Sequence, residues 1–218
     1  MSLPASDNFS GTALDANWTI QTGGFSVSSG VVSNTAGNND SAAFWNADTF
    51  PDDQWSQITV SAVTNDWVGV AVRASGTGAA RNFYSFRATS SSNSPEWEIF
   101  KEVAGVYTSL VTGNTPAGVV NGDVMKLVVQ GTTLTGYING TAVTPTATDS
   151  SLTSGSAGIY EYGSSPGLTT WSGGANSSSA QKGGMFFASE HRRRVPLKSA
   201  GALAALGWIV DRRRRLRG

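Results

Sequence analysis

A chain of 218 residues without cysteine, 39% hydrophobic and only 14% charged, excludes a disulfide framework, a thiolate metal site and an acidic disordered protein. The formal net charge of zero hides a split: residues 1–175 carry five Lys/Arg against thirteen Asp/Glu, a net −8, and residues 176–218 carry ten against two, a net +8. A mildly acidic body followed by a basic arm indicates an interaction tail rather than a feature of the fold.

The opening MSLPASDNFSG has neither a basic n-region nor an apolar h-region and does not read as a secretory signal peptide. From Phe25 to Trp171 short β-type runs alternate with turn signals. GVVSN and SAAFW come first. In WSQITVSAV, from Trp55 to Val63, Trp55, Gln57, Thr59 and Ser61 fall on one side and Ser56, Ile58, Val60 and Ala62 on the other. DWVGVAVRAS, NFYSFRA, EWEIFKEV and VYTSLV follow. VMKLVVQG and TLTGYING predict a hairpin closed near Gly131-Thr132. Asn139-Gly140 predicts a second one, because a type I′ turn needs positive φ at both central residues. AGIYEY and LTTWSGG close the series. About a dozen strands at this spacing, with no helical period among them, predict an all-β fold, a two-sheet antiparallel jelly-roll sandwich over residues 1–175.

Several of these pieces, in this order, carry a resemblance: DNFSGTALDANW, GVAVRAS, VMKLVVQGTTLTGYINGTAV, AGIYEYG and a closing WSGG. Over roughly residues 7–174 the chain resembles the concanavalin A-like (laminin G-like) jelly-roll domain of the lectin and glucanase superfamily, found in many bacterial surface and phage structural proteins. The resemblance implies two sheets of six or seven strands each, whose concave face or edge loops bind glycans. It also implies that the first and last strands pair, which would bring Phe9 close to Trp171.

Three chemistries suit such a scaffold. EWEIFKE places Glu96, Glu98 and Glu102 on one strand face, and a retaining glycosidase needs two carboxyls about 5–5.5 Å apart. Laminarinase-like enzymes of this fold put a Glu, an Asp and a second Glu on one strand. Here Glu98 stands for the Asp, and Phe100 or Lys101 for the second Glu. A solvated strand face, with Lys101 in an exposed ion pair to these carboxylates, is the expectation, and no enzyme. The lone His191 leaves no base for a serine triad, and no phosphate-binding or dinucleotide fingerprint occurs. For sugar stacking, Trp18 and Trp171 read as core. Trp45, Trp67 and Tyr84 are the platform candidates, with Arg73, Asn82 and Arg87 for the hydroxyls. For a metal, Asn38, Asp40, Asp52 and Asp53 offer loop oxygens to Ca²⁺, which takes about six to eight. The same residue types are ordinary turn formers, so no cofactor is required.

After Gly174 the character changes. Residues 176–184 form a Ser/Gly linker, and residues 185–218 a basic apolar arm. Pro196 can open a partly helical stretch in which Leu203, Leu206 and Val210 make one stripe, weakened by Gly201 and Gly207. The apolar run Ala200–Val210 is too short for a bilayer span of about 20 residues. The segment VPLKSAGALAALGWIVDRRRRLRG is similar to a bacterial C-terminal sorting signal, with Lys198 and Asp211 intruding, which keeps a membrane anchor as an alternative. Nucleic acid is disfavoured by the acidic body. A protein dock is the preferred partner. Met185, Phe186, Phe187, Leu203, Leu206, Trp208 and Ile209 would bury against other subunits. Arg192, Arg193, Arg194, Arg212, Arg213, Arg214 and Arg215 would pair with their carboxylates.

The expectation from the sequence is a non-catalytic, lectin-like subunit displayed on a larger assembly, such as a phage virion, and docked by its arm. It would then sit on the virion surface or outside the cell and bind glycan weakly. The alternatives are an exported bacterial carbohydrate-binding protein anchored through its C-terminus, and a laminarinase-like glycan hydrolase.

Overall fold

The computed structural model describes residues 3–176 except 64, 91–93, 95, 116–117 and 165. The arm residues named above, from Met185 to Arg215, and the expected partial helix lie outside the described residues.

Among the described residues sixteen strands follow one another: β1 (Ala5–Asp7), β2 (Trp18–Thr22), β3 (Phe25–Ser28), β4 (Val31–Asn34), β5 (Asp40–Trp45), β6 (Gln54–Ala62), β7 (Trp67–Ser75) and β8 (Asn82–Ala88), then β9 (Trp97–Val103), β10 (Val106–Gly113), β11 (Val124–Gln130), β12 (Thr133–Ile138), β13 (Thr141–Ala142), β14 (Ala147–Thr148), β15 (Ser156–Tyr162) and β16 (Gly167–Ala175). A 3₁₀ turn, Gly78–Ala80, joins β7 to β8. Two antiparallel sheets result. The nine-stranded sheet runs β13-β12-β11-β6-β16-β4-β3, with β1 added to β16 and β14 to β12. The seven-stranded sheet runs β10-β9-β8-β7-β15-β5-β2. The expected six or seven strands per sheet hold for the second only. The first gains its extra members from short pieces of two or three residues, too brief to show a period.

Alternation in β6 is as the sequence predicts: Gln54, Ser56, Ile58 and Val60 are buried and the residues between them half-buried. Asn139 and Gly140 take φ of 51° and 76°, the signature of the type I′ turn. The inner faces meet in one core. Val32, Ile58, Val60, Leu127, Leu168 and Trp171 from the nine-stranded sheet pack with Val68, Val70, Phe86, Trp97, Ile99 and Ile159 from the seven-stranded sheet. Each such aliphatic or aromatic side chain stabilises by about 1.5–3 kcal/mol when fully buried.

The first and last strands do pair, with Asp7 opposite Trp171. Phe9 lies 5.9 Å from Trp18, and Trp18 lies 4.8 Å from Trp171 by ring centroid. Each indole in this group finds a polar partner. Trp18 donates to Asp7 at 2.8 Å, Trp45 to Asp48 at 2.9 Å and Trp171 to Ser56 at 2.9 Å. That satisfies the N–H of a ring whose body is buried.

Candidate functional site

The outer face of the seven-stranded sheet departs from the rule that an outward sheet face is polar. One row of opposed residues crosses five strands: Glu98 on β9, Arg87 on β8, Gly69 on β7, Tyr160 on β15 and Ala42 on β5. The next row reads Phe100, Ser85, Ala71, Gly158 and Phe44. Gly69, Ala71, Ser85 and Gly158 thus pave the middle strands, and Arg87 and Tyr160 stand among them. The paving is required. A Cβ at Gly69 would lie 2.4 Å from the carbonyl oxygen of Phe86, and one at Gly158 would lie 2.2 Å from that of Ala43.

The large side chains close over this floor. The Arg87 guanidinium lies 4.6 Å from the Trp67 ring centroid, 4.7 Å from Phe100, and 5.7 Å from both Tyr107 and Tyr160. Its Nε and Nη2 reach one Glu98 oxygen at 2.9 and 2.6 Å, and its Nη1 donates to the Tyr160 hydroxyl at 2.8 Å. Tyr107 donates to the other Glu98 oxygen at 2.5 Å, and Tyr160 donates to Asp40. Burial opposes the charge on Arg87, but Tyr160, Glu98 and Tyr107 outweigh it and hold its pKa above the usual value. Burial also raises the Tyr160 phenol, helped by Asp40, and the Tyr107 phenol, helped by Glu98. Both therefore keep their protons as donors. Phe83, Phe100 and Tyr160 pack with Ala42, Ala71 and Ala74 into a small second cluster beneath. Tyr107 remains 47% exposed, and Trp67, Phe44 and Tyr162 are half-buried, so aromatic surface stays open at the rim of a fixed polar centre.

Of the six residues proposed from sequence for a sugar, only Trp67 and Arg87 meet at this face. Trp45 is 4% exposed and stacks on Trp171 at 5.2 Å inside the sandwich, so its ring has no free side. Tyr84 points to the core, donating to Asp149 at 2.6 Å. Arg73, 3% exposed, gives its guanidinium to the carbonyls of Asp52, Leu152 and Gly131 at 2.8–3.0 Å and clamps three loops. Asn82 accepts from the Ala104 amide at 2.9 Å and donates to Ala80 at 2.9 Å, stitching two turns. Tyr107, Tyr160, Phe100 and Asp40 complete the face and were not assigned to it from sequence. Their shared signal is the alternation phase that puts Arg87 and Glu98 outward.

The carboxylates of EWEIFKE are each engaged separately. Glu98 and Glu102 share the outer face but stand four residues apart, roughly 13 Å along a strand, with the Phe100 ring between. Glu102 pairs with Arg81 at 2.5 Å. Burial raises its pKa, with Arg81 acting against it. Glu96 precedes β9 and accepts from the Thr115 amide and hydroxyl at 2.5 and 3.0 Å. Lys101 corrects an expectation. It faces the other way and pairs with Asp149 at 2.5 Å and Ser151 at 2.6 Å, because its odd position shares the phase of Ile99.

The oxygen-rich loops do not come together either. Asn38 and Asp40 lie at the end of the sandwich where Tyr162 opposes Trp67, the start of β7. Asp52 and Asp53 lie at the other end of β7, where Asp53 accepts from the Gly131 amide at 2.7 Å and stands 3.8 Å from Arg73. One ion does not reach both pairs. Among the described residues no group of three or more His, Cys, Asp or Glu is placed to hold a metal.

No family model matches the sequence, and no curated protein matches it. Solved structures do. A carbohydrate-binding module, CBM66 from Bacillus subtilis, aligns with a TM-score of 0.58 at 16% identity, over 70% of this chain and 92% of that one. A Bacillus subtilis protein of unknown function with a galectin-like fold aligns with a TM-score of 0.58 at 13% identity, over 78% and 94%. A β-1,3-1,4-glucanase (lichenase) from a mouse hindgut metagenome aligns with a TM-score of 0.54 at 8% identity, over 78% and 98%. The Ca²⁺-bound exoplasmic/lumenal domain of VIP36 also shares the fold, with a TM-score of 0.52 at 10% identity, over 77% and 88%. The chain therefore shares the two-sheet jelly-roll fold of these structures.

Proposed function

We propose that this protein is a non-catalytic, lectin-like module that binds glycan on the outer face of its seven-stranded sheet. The carrying observation is the Arg87–Glu98 pair, walled by Trp67, Phe100, Tyr107 and Tyr160. Sugar recognition needs an apolar ring face and a few polar groups held in place, and function resides in such a site rather than in the fold. Exposed Trp67 and Tyr107 surface would stack on a pyranose, while the Glu98, Arg87 and tyrosine hydroxyl set fixes its orientation. The fold shared with a carbohydrate-binding module supports this reading. Each carboxylate of the strand that would carry hydrolysis is tied up by its own partner, which supports a binding rather than a cleaving role.

The test is a glycan array followed by titration calorimetry on its hits. Trp67→Ala and Tyr107→Ala should each weaken binding about tenfold or more, on the scale of a lost aromatic contact of about 1–3 kcal/mol. Release of reducing sugar that disappears in Glu98→Gln would overturn the binding assignment in favour of a hydrolase.

The same proposal extends to display. Charge segregation in the sequence supports a basic arm, residues 185–218, that docks the sandwich on a larger assembly such as a phage virion, at its surface or outside the cell. Removing residues 176–218 should abolish co-purification with that assembly and leave glycan affinity intact. Co-purification of the shortened protein would refute the dock.

A further inference from the structure

A second groove lies on the outer face of the nine-stranded sheet, across β6, β11 and β12. It holds about 650 Å³ and is lined by Gln57, Lys126, Gln130, Thr135 and Tyr137 among others, with Asn176 at its border. Pairing register sets its centre: Lys126 stands between Gln57 on β6 and Tyr137 on β12. Its ammonium lies 4.3 Å from the Trp55 ring centroid. No described carboxylate lines the groove.

Lys126 is exceptional in its pairing. The described residues include five Lys/Arg side chains. Arg73 stands 3.8 Å from Asp53, Arg81 2.5 Å from Glu102, Arg87 2.6 Å from Glu98 and Lys101 2.5 Å from Asp149. Lys126 has no carboxylate partner among the described residues, in a body with a surplus of acid. Its charge is instead held half-buried over an indole, where cation–π attraction fixes it in place but neutralises nothing. The surrounding amides, hydroxyls and phenol supply donors and acceptors on both sides.

We propose that this groove is a second binding site for an anionic sugar unit, a saccharide carrying one carboxylate or sulfate group that pairs with Lys126. Gln57, Gln130, Thr135 and Tyr137 would take its hydroxyls. A single cation suits one isolated anionic group, and the net charge of −8 over residues 1–175 works against a densely charged polyanion such as nucleic acid. Burial lowers the Lys126 pKa, and a bound anion would push it back up. The site does not depend on the seven-stranded face, which is built from other strands, so either can fail alone.

The experiment uses the full 218-residue chain and titration calorimetry with three probes: an oligosaccharide containing a uronic acid, its carboxyl-reduced neutral form, and a sulfated neutral oligosaccharide. The ten basic residues of 176–218 are present in every variant, so differences between variants report the groove. At least one anionic probe should bind more tightly than the neutral form. Lys126→Gln should lower that affinity tenfold or more, and Lys126→Arg should retain most of it. Preference for the sulfated or the uronic probe identifies the anion. Equal affinity for the neutral form, or an unchanged affinity in Lys126→Gln, refutes the site. So does Lys126-dependent binding of a single-stranded oligonucleotide when neither anionic saccharide binds.

Discussion

Arg87 and Glu98 face each other directly on β8 and β9, and their side chains meet at 2.6 Å while only 14% and 5% exposed. An ion pair so nearly desolvated gains little against an apolar pair of the same shape, but leaving one member alone is costly, about 3–5 kcal/mol in a fully buried site. Glu98→Leu should therefore destabilise the sandwich by about 2–4 kcal/mol, the lower end reflecting residual solvent at Arg87. The double variant Arg87→Met with Glu98→Leu should recover most of that loss. Urea denaturation of the parent, Glu98→Leu, Arg87→Met and the double variant measures both. A pair retained for recognition predicts this pattern, with stability restored in the double variant and glycan affinity lost. A double variant that stays as unstable as Glu98→Leu would show instead that the pair itself holds the sheet together.

Two glycines separate two kinds of constraint. Gly140 has φ 76° in the type I′ turn, and a Cβ there meets nothing within 4 Å. Gly140→Ala should cost about 1 kcal/mol, purely from the left-handed backbone. Gly158 needs no positive φ, but its Cβ would lie 2.2 Å from the Ala43 carbonyl oxygen. Gly158→Ala must part β15 from β5 and should cost several times as much, on the order of 3 kcal/mol or more. Thermal melting ranks the two, and a Gly140 variant that melts lower than the Gly158 variant would contradict the assignment.

How far the sequence reveals these features depends on what each strand faces. In β6 one side meets the core and the other meets water, so apolar and polar residues alternate and the phase is readable. In β8 and β9 both faces are largely buried. NFYSFRA and WEIFKEV consequently carry aromatic residues on both sides, and hydrophobic alternation is lost. Tyr84 and Arg87 look equally available from sequence, yet only Arg87 faces outward. The partners of Arg87 come from β7, β9, β10 and β15, brought together by strand pairing between residues as far apart as Gly69 and Tyr160. Such register is not a local property of the chain. The Asn139-Gly140 turn is local, and it is legible.

Tyr84 and Asp149 predict a response at both ends of the pH scale. Burial and the hydrogen bond to Asp149 push the Tyr84 phenol up to about 12. Its protonated form is favoured in the fold, so the stability it contributes is complete below the usual phenol value of about 10 and is lost as pH rises toward about 12. Asp149 behaves oppositely. Burial works to raise its pKa, but hydrogen bonds from Lys101, Tyr84 and Ser151 outweigh it and hold the carboxyl well below the usual range. Its contribution is present above a pH of about 4 and fades as pH falls. Tyr84→Phe should flatten the alkaline limb of a melting-temperature profile, and Asp149→Asn the acid limb. An alkaline limb unchanged in Tyr84→Phe would remove this phenol from the account.

Glu161 on β15 supplies the opposite acid-range signature. Its side chain is fully buried on the core side, opposite Ser41 on β5 and Val68 on β7, and neither carboxyl oxygen has a hydrogen-bonding partner among the described residues. Burial pushes its pKa well above the carboxylate range. The Asn34 amide offsets part of this without meeting hydrogen-bond geometry. The folded state then keeps a proton that the unfolded chain releases above a pH of about 4.3. Stability from this group is complete below that value and falls as pH rises, by about 1.4 kcal/mol per pH unit until the buried acid itself ionises. Glu161→Gln keeps the shape and cannot ionise. It should match the parent protein near pH 4 and exceed it at pH 7, with the gap opening steadily between, as read from urea midpoints across that range. A gap that stays constant, or closes toward neutral pH, would mean that Glu161 is ionised and stabilised inside the fold.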